Sequence, residues 1–367
     1  MTGRVAVIGA GVVGLAAAWA LERRGFVCLV YEQGAPGGAQ SAGESRIFRH
    51  AHDDRRQFEL ALESRRDWRD WEAAFGVQLI SPDGAMAIGG EAVARLERYA
   101  DDPGVAVREL NRGQIAEALP PLAGFDGPAL IDDAAGAIRT RLALANLIGA
   151  VGMNLVPERV ESVLPRPGGG VEVSSASGSR VFDAAVVAAG TGTAELAARA
   201  GLGIPVSLHA HMRLTAPLLA GGRAERMACL QDSSGVFGED AAYGSPVRGN
   251  SEYAVGLVVT AEVDPDPGDT DSLDQVTGRT FAYVERAFPG LDLSRAEPIQ
   301  RWVTELPWAT DGVAVWQSGE AYFIAGHNLF KLAPALGKAL ARAVVAGEVE
   351  QRLKPEDRLG TPALEPR

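Results

Sequence analysis

Residues Val5 to Glu32, VAVIGAGVVGLAAAWALERRGFVCLVYE, constrain the fold more than any other stretch of the chain. An apolar strand, Val5 to Ile8, runs into Gly9-Ala10-Gly11-Val12-Val13-Gly14. A helical run follows to Gly25, and a second apolar strand, Val27 to Tyr31, ends in Glu32. Each part suits a dinucleotide. Gly9 permits a tight turn, Gly11 lets backbone approach a pyrophosphate, and Gly14 lets the helix pack closely on the strand. The helix N-terminus offers free N–H groups and a partial positive charge to the phosphates. Glu32, 18 residues after Gly14, ends the second strand, where a carboxylate accepts ribose hydroxyls. A secretory signal would account for Arg4 and Ala18-Trp19-Ala20 but leaves the three glycines and Glu32 unexplained. Glu22-Arg23-Arg24 interrupts the apolar run too early for a membrane span.

The 367 residues suffice for two domains or one large α/β body. A formal net charge of −12 disfavours nucleic acid and anionic membranes as partners, without forbidding a local basic pocket. The two cysteines, Cys28 and Cys229, imply no disulfide framework, and a reducing, cytoplasmic location is expected. Two histidines at alternating positions, His209 and His211, share a strand face but do not make a metal site by themselves. No metal is expected.

Three separated segments read as one nucleotide-binding sheet. They are residues 4 to 32, the apolar run Val181 to Gly192, and Ala321 to Gly326 with a following helix from Pro334 to Ala346. Pro334 fits the first turn of that helix and Gly347 its C-cap. Between them, residues 53 to 75 and 139 to 151 read as amphipathic helices, and 155 to 183 as a β-meander turning at Gly168-Gly-Gly170 and Ser177-Gly178. Residues 205 to 316 carry the expected strands Ser207–Leu214, Gly235–Gly238, Tyr253–Thr260 and Arg301–Leu306, separated by loops such as Asp264 to Asp269. The pattern predicts an α/β fold: a Rossmann-type domain from residues 1–80, 140–205 and 318–360, an inserted antiparallel-sheet domain from 81–139 and 206–317, and a tail at 361–367, with the chain frayed from Leu359 to Arg367.

Four islands carry a family resemblance: the opening turn, Gly43-Glu-Ser45-Arg46-Ile-Phe-Arg49-His50-Ala51, Ala188-Ala189-Gly190, and Ala325-Gly326-His327-Asn328-Leu329-Phe330-Lys331. Ser64 to Glu72, SRRDWRDWE, fits as a helix between the second and third. The chain resembles the flavoprotein family of D-amino-acid oxidase and glycine oxidase, and most nearly its monomeric sarcosine oxidase and N-methyltryptophan oxidase branch. The resemblance implies the glutathione-reductase-like fold with FAD bound extended, its ring between the two domains. It implies oxidation of a C–N bond in an amine or amino acid by hydride transfer to the flavin, with an imine product and O₂ as acceptor.

The resemblance assigns Arg49 and Lys331 to the substrate carboxylate, Arg46 to the flavin or substrate, and Tyr243 to the pocket wall. His327 and His50 are candidate proton acceptors. Cofactor contacts fall on Gly9, Ala10, Gly11, Val12, Val13, Gly14, Glu32, Gln33, Ser45, Arg46, Val160, Ala189, Gly190, Gly326, Asn328, Leu329, Phe330 and Lys331. The helix after Lys331 would aim its N-terminal dipole at the flavin pyrimidine.

Two departures matter. Thr304 stands where the branch has its flavin-linking cysteine, so FAD is expected to be non-covalent. Ala254 stands where the branch has an O₂-activating lysine, leaving Arg213, Arg248 or a histidine to substitute. The alternatives are a flavin dehydrogenase or biosynthetic enzyme with poor O₂ reactivity, a non-catalytic flavin carrier, and an enzyme using NAD alone. The substrate would be a small molecule and the assembly a monomer or homodimer.

Overall fold

The structure, a computed structural model, describes residues 3–151, 154–259, 261–262 and 271–361. The expected Asp264–Asp269 loop and residues 362–367 of the tail lie outside the described residues.

The first strand, Arg4–Ile8, is central in a six-stranded sheet and pairs in parallel with Val27–Tyr31 on one side and Ala184–Val187 on the other. Ala321–Gly326 extends the parallel set beyond Ala184–Val187, and Leu155–Val156 closes the opposite edge. Val313–Ser318, assigned by sequence to the inserted unit, instead forms the antiparallel edge of this sheet beside Ala321–Gly326. The strands are apolar on both faces because helices Val12–Glu22 and Ala333–Ala346 cover one side and the antiparallel meander Val160–Phe182 the other.

The run Val181 to Val187 is two strands rather than one. Gly178–Phe182 ends the meander, and Asp183 breaks the chain before Ala184 by accepting the Arg4 backbone N–H at 2.6 Å.

A second, nine-stranded sheet is antiparallel apart from one parallel pair, Cys229–Asp232 with Ala85–Ile88. Its longest strand, Ser207–Pro217, pairs along its length with Glu297–Glu305. The expected strand Gly235–Gly238 is a turn, with both glycines at positive φ (69° and 87°). The strands flanking that turn are Cys229–Asp232 and Ala242–Val247. Helix Asp271–Ala287, which sequence reading missed, covers this sheet and buries Tyr283, Val284 and Ala287 against it.

The 21-residue helix Arg55–Phe75 begins at Asp54, whose buried carboxylate accepts Arg56 N–H at 2.9 Å and Gly360 N–H at 2.8 Å. That second bond corrects the start of the expected frayed tail, at Leu359 and Gly360: Leu359 is fully buried and its carbonyl accepts Trp308 Nε1–H at 3.2 Å. Among the described residues no helix is long and apolar enough to cross a membrane.

Candidate active site

The glycine turn is built as its spacing predicts. Gly9 sits at φ 100°, and a Cβ there would meet Ala188 O at 2.4 Å. A Cβ on Gly14 would meet Gly9 O at 2.0 Å, so the helix lies directly on the turn. Glu32 ties the turn together, accepting Ala10 N–H and Gly34 N–H, each at 2.9 Å. Ser41 Oγ accepts Val12 N–H at 3.0 Å.

The turn opens into a cavity of about 940 Å³ between the two sheets. Its walls include Gly9, Gly11, Val12, Val13, Glu32, Gln33, Arg46, Val160, Ala189 and Gly190. Gly326, Asn328, Leu329, Phe330 and Lys331 line it from the far junction, with Arg49, Tyr243 and His327. Ala10 and Gly14 are packed behind the turn, out of the cavity wall. Ser45 is also out of the cavity wall: its Oγ is 2.8 Å from Ser245 Oγ, and its carbonyl accepts from Arg46 and Arg213.

Arg49 and Lys331 come from distant segments and meet on one carboxylate oxygen. Arg49 Nη2 donates to Asp311 Oδ2 at 2.6 Å and Lys331 Nζ donates to the same oxygen at 3.2 Å. Asn328 donates to the other oxygen, and Gln57 to the Asp311 carbonyl. Burial pushes the Asp311 carboxyl up, but Lys331 and Arg49 overcome this and hold it well below the usual range. Burial pushes Lys331 down to about 8, opposed by Asp311. Two cations against one carboxylate leave one positive charge in excess.

Lys331 is positioned by the long helix. Ser64 Oγ and Trp68 Nε1, one helical turn apart, both donate to the Lys331 carbonyl, at 2.7 and 2.9 Å. This explains the SRRDW island as a positioning element: residues i and i+4 share a helix face.

The histidines divide. His50, a candidate from sequence, is buried away from the cavity with Nδ1 2.6 Å from Asp132 Oδ2 and its ring against Phe48. Its neighbour His52, which sequence reading missed, lines the cavity with Nε2 3.8 Å from Asp311 Oδ2. His327 Nδ1 lies 3.1 Å from Thr310 O. A carbonyl can only accept, so the proton sits on Nδ1 and Nε2 is the open acceptor. Burial pushes His327 down to about 4 and His211 to about 3, so both rings are neutral near pH 7. Their rings stack at 5.2 Å, and Glu305 lies beside them.

Arg46, Arg213 and Arg301 form a second basic region of the wall. Arg46 donates to the carbonyls of Ser45, Gln40 and Ala42. Arg213 donates to Ser45 O at 3.1 Å, Ser245 Oγ at 2.8 Å and Ala254 O at 3.5 Å, with its guanidinium 5.7 Å from the Tyr243 ring. Its guanidinium thus reaches the Ala254 backbone, whereas Arg248 pairs with Glu252 outside this cavity. Thr304 Oγ1 donates to Gly326 O at 3.0 Å. Asp311 and Glu305 were two acids among 47, without a spacing that marked them in the sequence.

A dinucleotide turn feeding a cavity that a second sheet walls with cations defines a nucleotide-dependent oxidoreductase of two-sheet architecture. The chain belongs to the DAO family of FAD dependent oxidoreductases, which matches residues 4–343. It is similar in structure to NikD, an unusual amino acid oxidase essential for nikkomycin biosynthesis, with TM-score 0.79, 19% identity and 99% of each chain covered. Iminodiacetate oxidase from Chelativorans sp. BNC1 aligns with TM-score 0.75 and 22% identity over 96% of this chain and 98% of that one. L-proline dehydrogenase from P. horikoshii aligns with TM-score 0.77 and 16% identity over 96% of each. No curated protein matches the chain.

FAD fits the residues present. The glycine cradle admits backbone contact that a Cβ would block, Glu32 stands at its rim, and the cavity continues to the helix start after Lys331.

Proposed function

We propose that the protein oxidises the C–N bond of a small carboxylated amine, secondary or cyclic in type. The observation that carries this reading is the convergence of Arg49 and Lys331 on one carboxylate oxygen inside the cavity. Asp311 shows that the pair accommodates a carboxylate, and the excess positive charge leaves it able to hold a second. FAD held along the glycine turn and the Gly326–Lys331 junction would supply the hydride acceptor, with O₂ as the final acceptor and H₂O₂ as its product. The chain does the rest. Arg49 and Lys331 anchor the carboxylate and so aim the adjacent carbon. The amine reacts as its free base, its proton lost to solvent, because a ring held down to about 4 is too weak a base to take it. The imine then leaves to be hydrolysed by water. Tyr243 and His211 wall the amine side, and the NikD, iminodiacetate oxidase and proline dehydrogenase likenesses agree with an amino-acid-like substrate.

Arg213, whose guanidinium reaches the Ala254 carbonyl, would supply the fixed cation that favours electron transfer to O₂. The observation favouring a dehydrogenase is that this cation is a guanidinium spread over three hydrogen bonds rather than a point charge. Stopped-flow mixing of reduced enzyme with O₂ separates the two.

The main test is anaerobic bleaching of the flavin by N-methyl, cyclic and primary amino acids, each beside its decarboxylated counterpart. Bleaching is expected for carboxylated amines only, and Arg49→Gln or Lys331→Met should raise the half-saturating concentration by about 100-fold or more, as for loss of a charge-assisted contact. Equal bleaching by the decarboxylated set would overturn the carboxylate assignment.

A further inference from the structure

We propose that His211, Glu305 and His327 form a binding site for a divalent transition metal of the zinc class. The three side chains come from separate segments, strands Ser207–Pro217 and Glu297–Glu305 and the loop after Ala321–Gly326. One ligand atom from each lies within 4.8 Å of the others. Donors on one tetrahedral zinc stand about 3.4 Å apart, so small side-chain rotations bring these onto an ion.

The second observation is the lack of hydrogen-bond partners at His211 and Glu305. Both ring nitrogens of His211, which is 7% exposed, are buried without a hydrogen-bond partner, as is Glu305 Oε1. Buried polar atoms are ordinarily paired, so one His211 nitrogen and Glu305 Oε1 together call for an occupant. Each is a metal-ligand type: two imidazoles and a carboxylate. His327 brings Nδ1 to 3.9 Å from Glu305 Oε1, with the Thr310 carbonyl 3.1 Å from the same nitrogen.

Two histidines and one glutamate are a three-ligand set that leaves the fourth zinc position open, here toward the cavity that His211 and His327 line. The two cysteines offer no competing site, since both are fully buried in other elements. Sequence reading noticed His211 only beside His209, whose Nε2 lies 2.8 Å from Ser207 Oγ. The partners that complete the set come from chain positions far from either.

The test uses FAD-loaded protein and Zn²⁺ alone. Calorimetric titration should show one tight site per chain, weakened at least about tenfold by His211→Gln and by Glu305→Gln, each variant first shown to retain its flavin spectrum. Crystals of the unsubstituted protein soaked in Zn²⁺ should give one anomalous peak at the zinc edge between the three side chains. Unchanged affinity in both variants, or no peak at that point, overturns the proposal. The soak stands by itself if either variant fails to fold.

Discussion

Asp311 is the residue on which the site's electrostatics turn. It ties Arg49 to Lys331 and in doing so keeps a buried lysine protonated to a pH of about 8. Two consequences differ in sign. For binding, an anion needs Lys331 charged, so the dissociation constant of a carboxylate inhibitor should rise as pH passes through about 8. Lys331→Met should abolish that rise. For stability, burial lowers the folded pKa from the usual 10.5. The penalty of burying the charge is full below about 8 and is relieved as pH climbs toward the unfolded value, so this group alone makes the fold more stable there. Asp311→Asn removes the charge that raises Lys331, and should move the binding limit below pH 8. An unshifted profile, read by inhibitor titration of the flavin spectrum, would contradict the coupling. None of this was legible from sequence. Arg49 and Lys331 stood in recognisable islands, whereas Asp311 sits in a short turn before Gly312 with nothing local to mark it.

At the scale of elements, two contacts set the site. The first is the long helix, whose Ser64 and Trp68 hold the Lys331 carbonyl. Trp68→Phe keeps the ring against Phe330 but loses one buried hydrogen bond, a loss of about 1 kcal/mol. The carboxylate affinity should fall a few-fold while single-turnover bleaching at saturation is retained. The second is the crossing of the first and last helices. Gly337 touches Ala16 so closely that an added Cβ would lie 2.6 Å from its carbonyl carbon. Gly337→Ala should destabilise the protein by about 1–3 kcal/mol, measured by urea unfolding, because neither backbone can yield without moving the glycine turn. The long helix was readable because its apolar positions recur at helical spacing, the last one from Pro334 and Gly347, and the first, apolar on nearly every side, from the glycine turn before it. Asp271–Ala287 was not: Val276, Tyr283, Val284 and Ala287 do mark one face, but Gly278, Thr277 and the buried Thr280 dilute it. Gly235–Gly238 failed for the opposite reason. Val236 and Phe237 look strand-like, yet two glycines at positive φ close a turn around them.

For the molecule as a whole, the cavity between the sheets is where folding and cofactor meet. The glycine turn, the meander and the segment from Thr304 to Lys331 all face it, so a bound flavin links walls drawn from the whole length of the chain. Stripped protein should therefore melt lower, and FAD should raise the melting temperature with concentration. The expected gain is about 2.7 kcal/mol at a hundredfold excess over the dissociation constant. That mass-action behaviour requires a reversible cofactor, and the site supports one. The two thiols are fully buried in strands, Cys28 beneath the first helix and Cys229 beside Ala85, and neither lines the cavity. Thr304 spends its hydroxyl on the Gly326 carbonyl and has no sulfur to offer the flavin ring. Acid precipitation should accordingly release all of the yellow colour into the supernatant and leave a colourless pellet. A pellet that stays yellow would mean that some side chain other than these thiols is bonded to the ring, and the concentration-dependent melting shift would vanish with it.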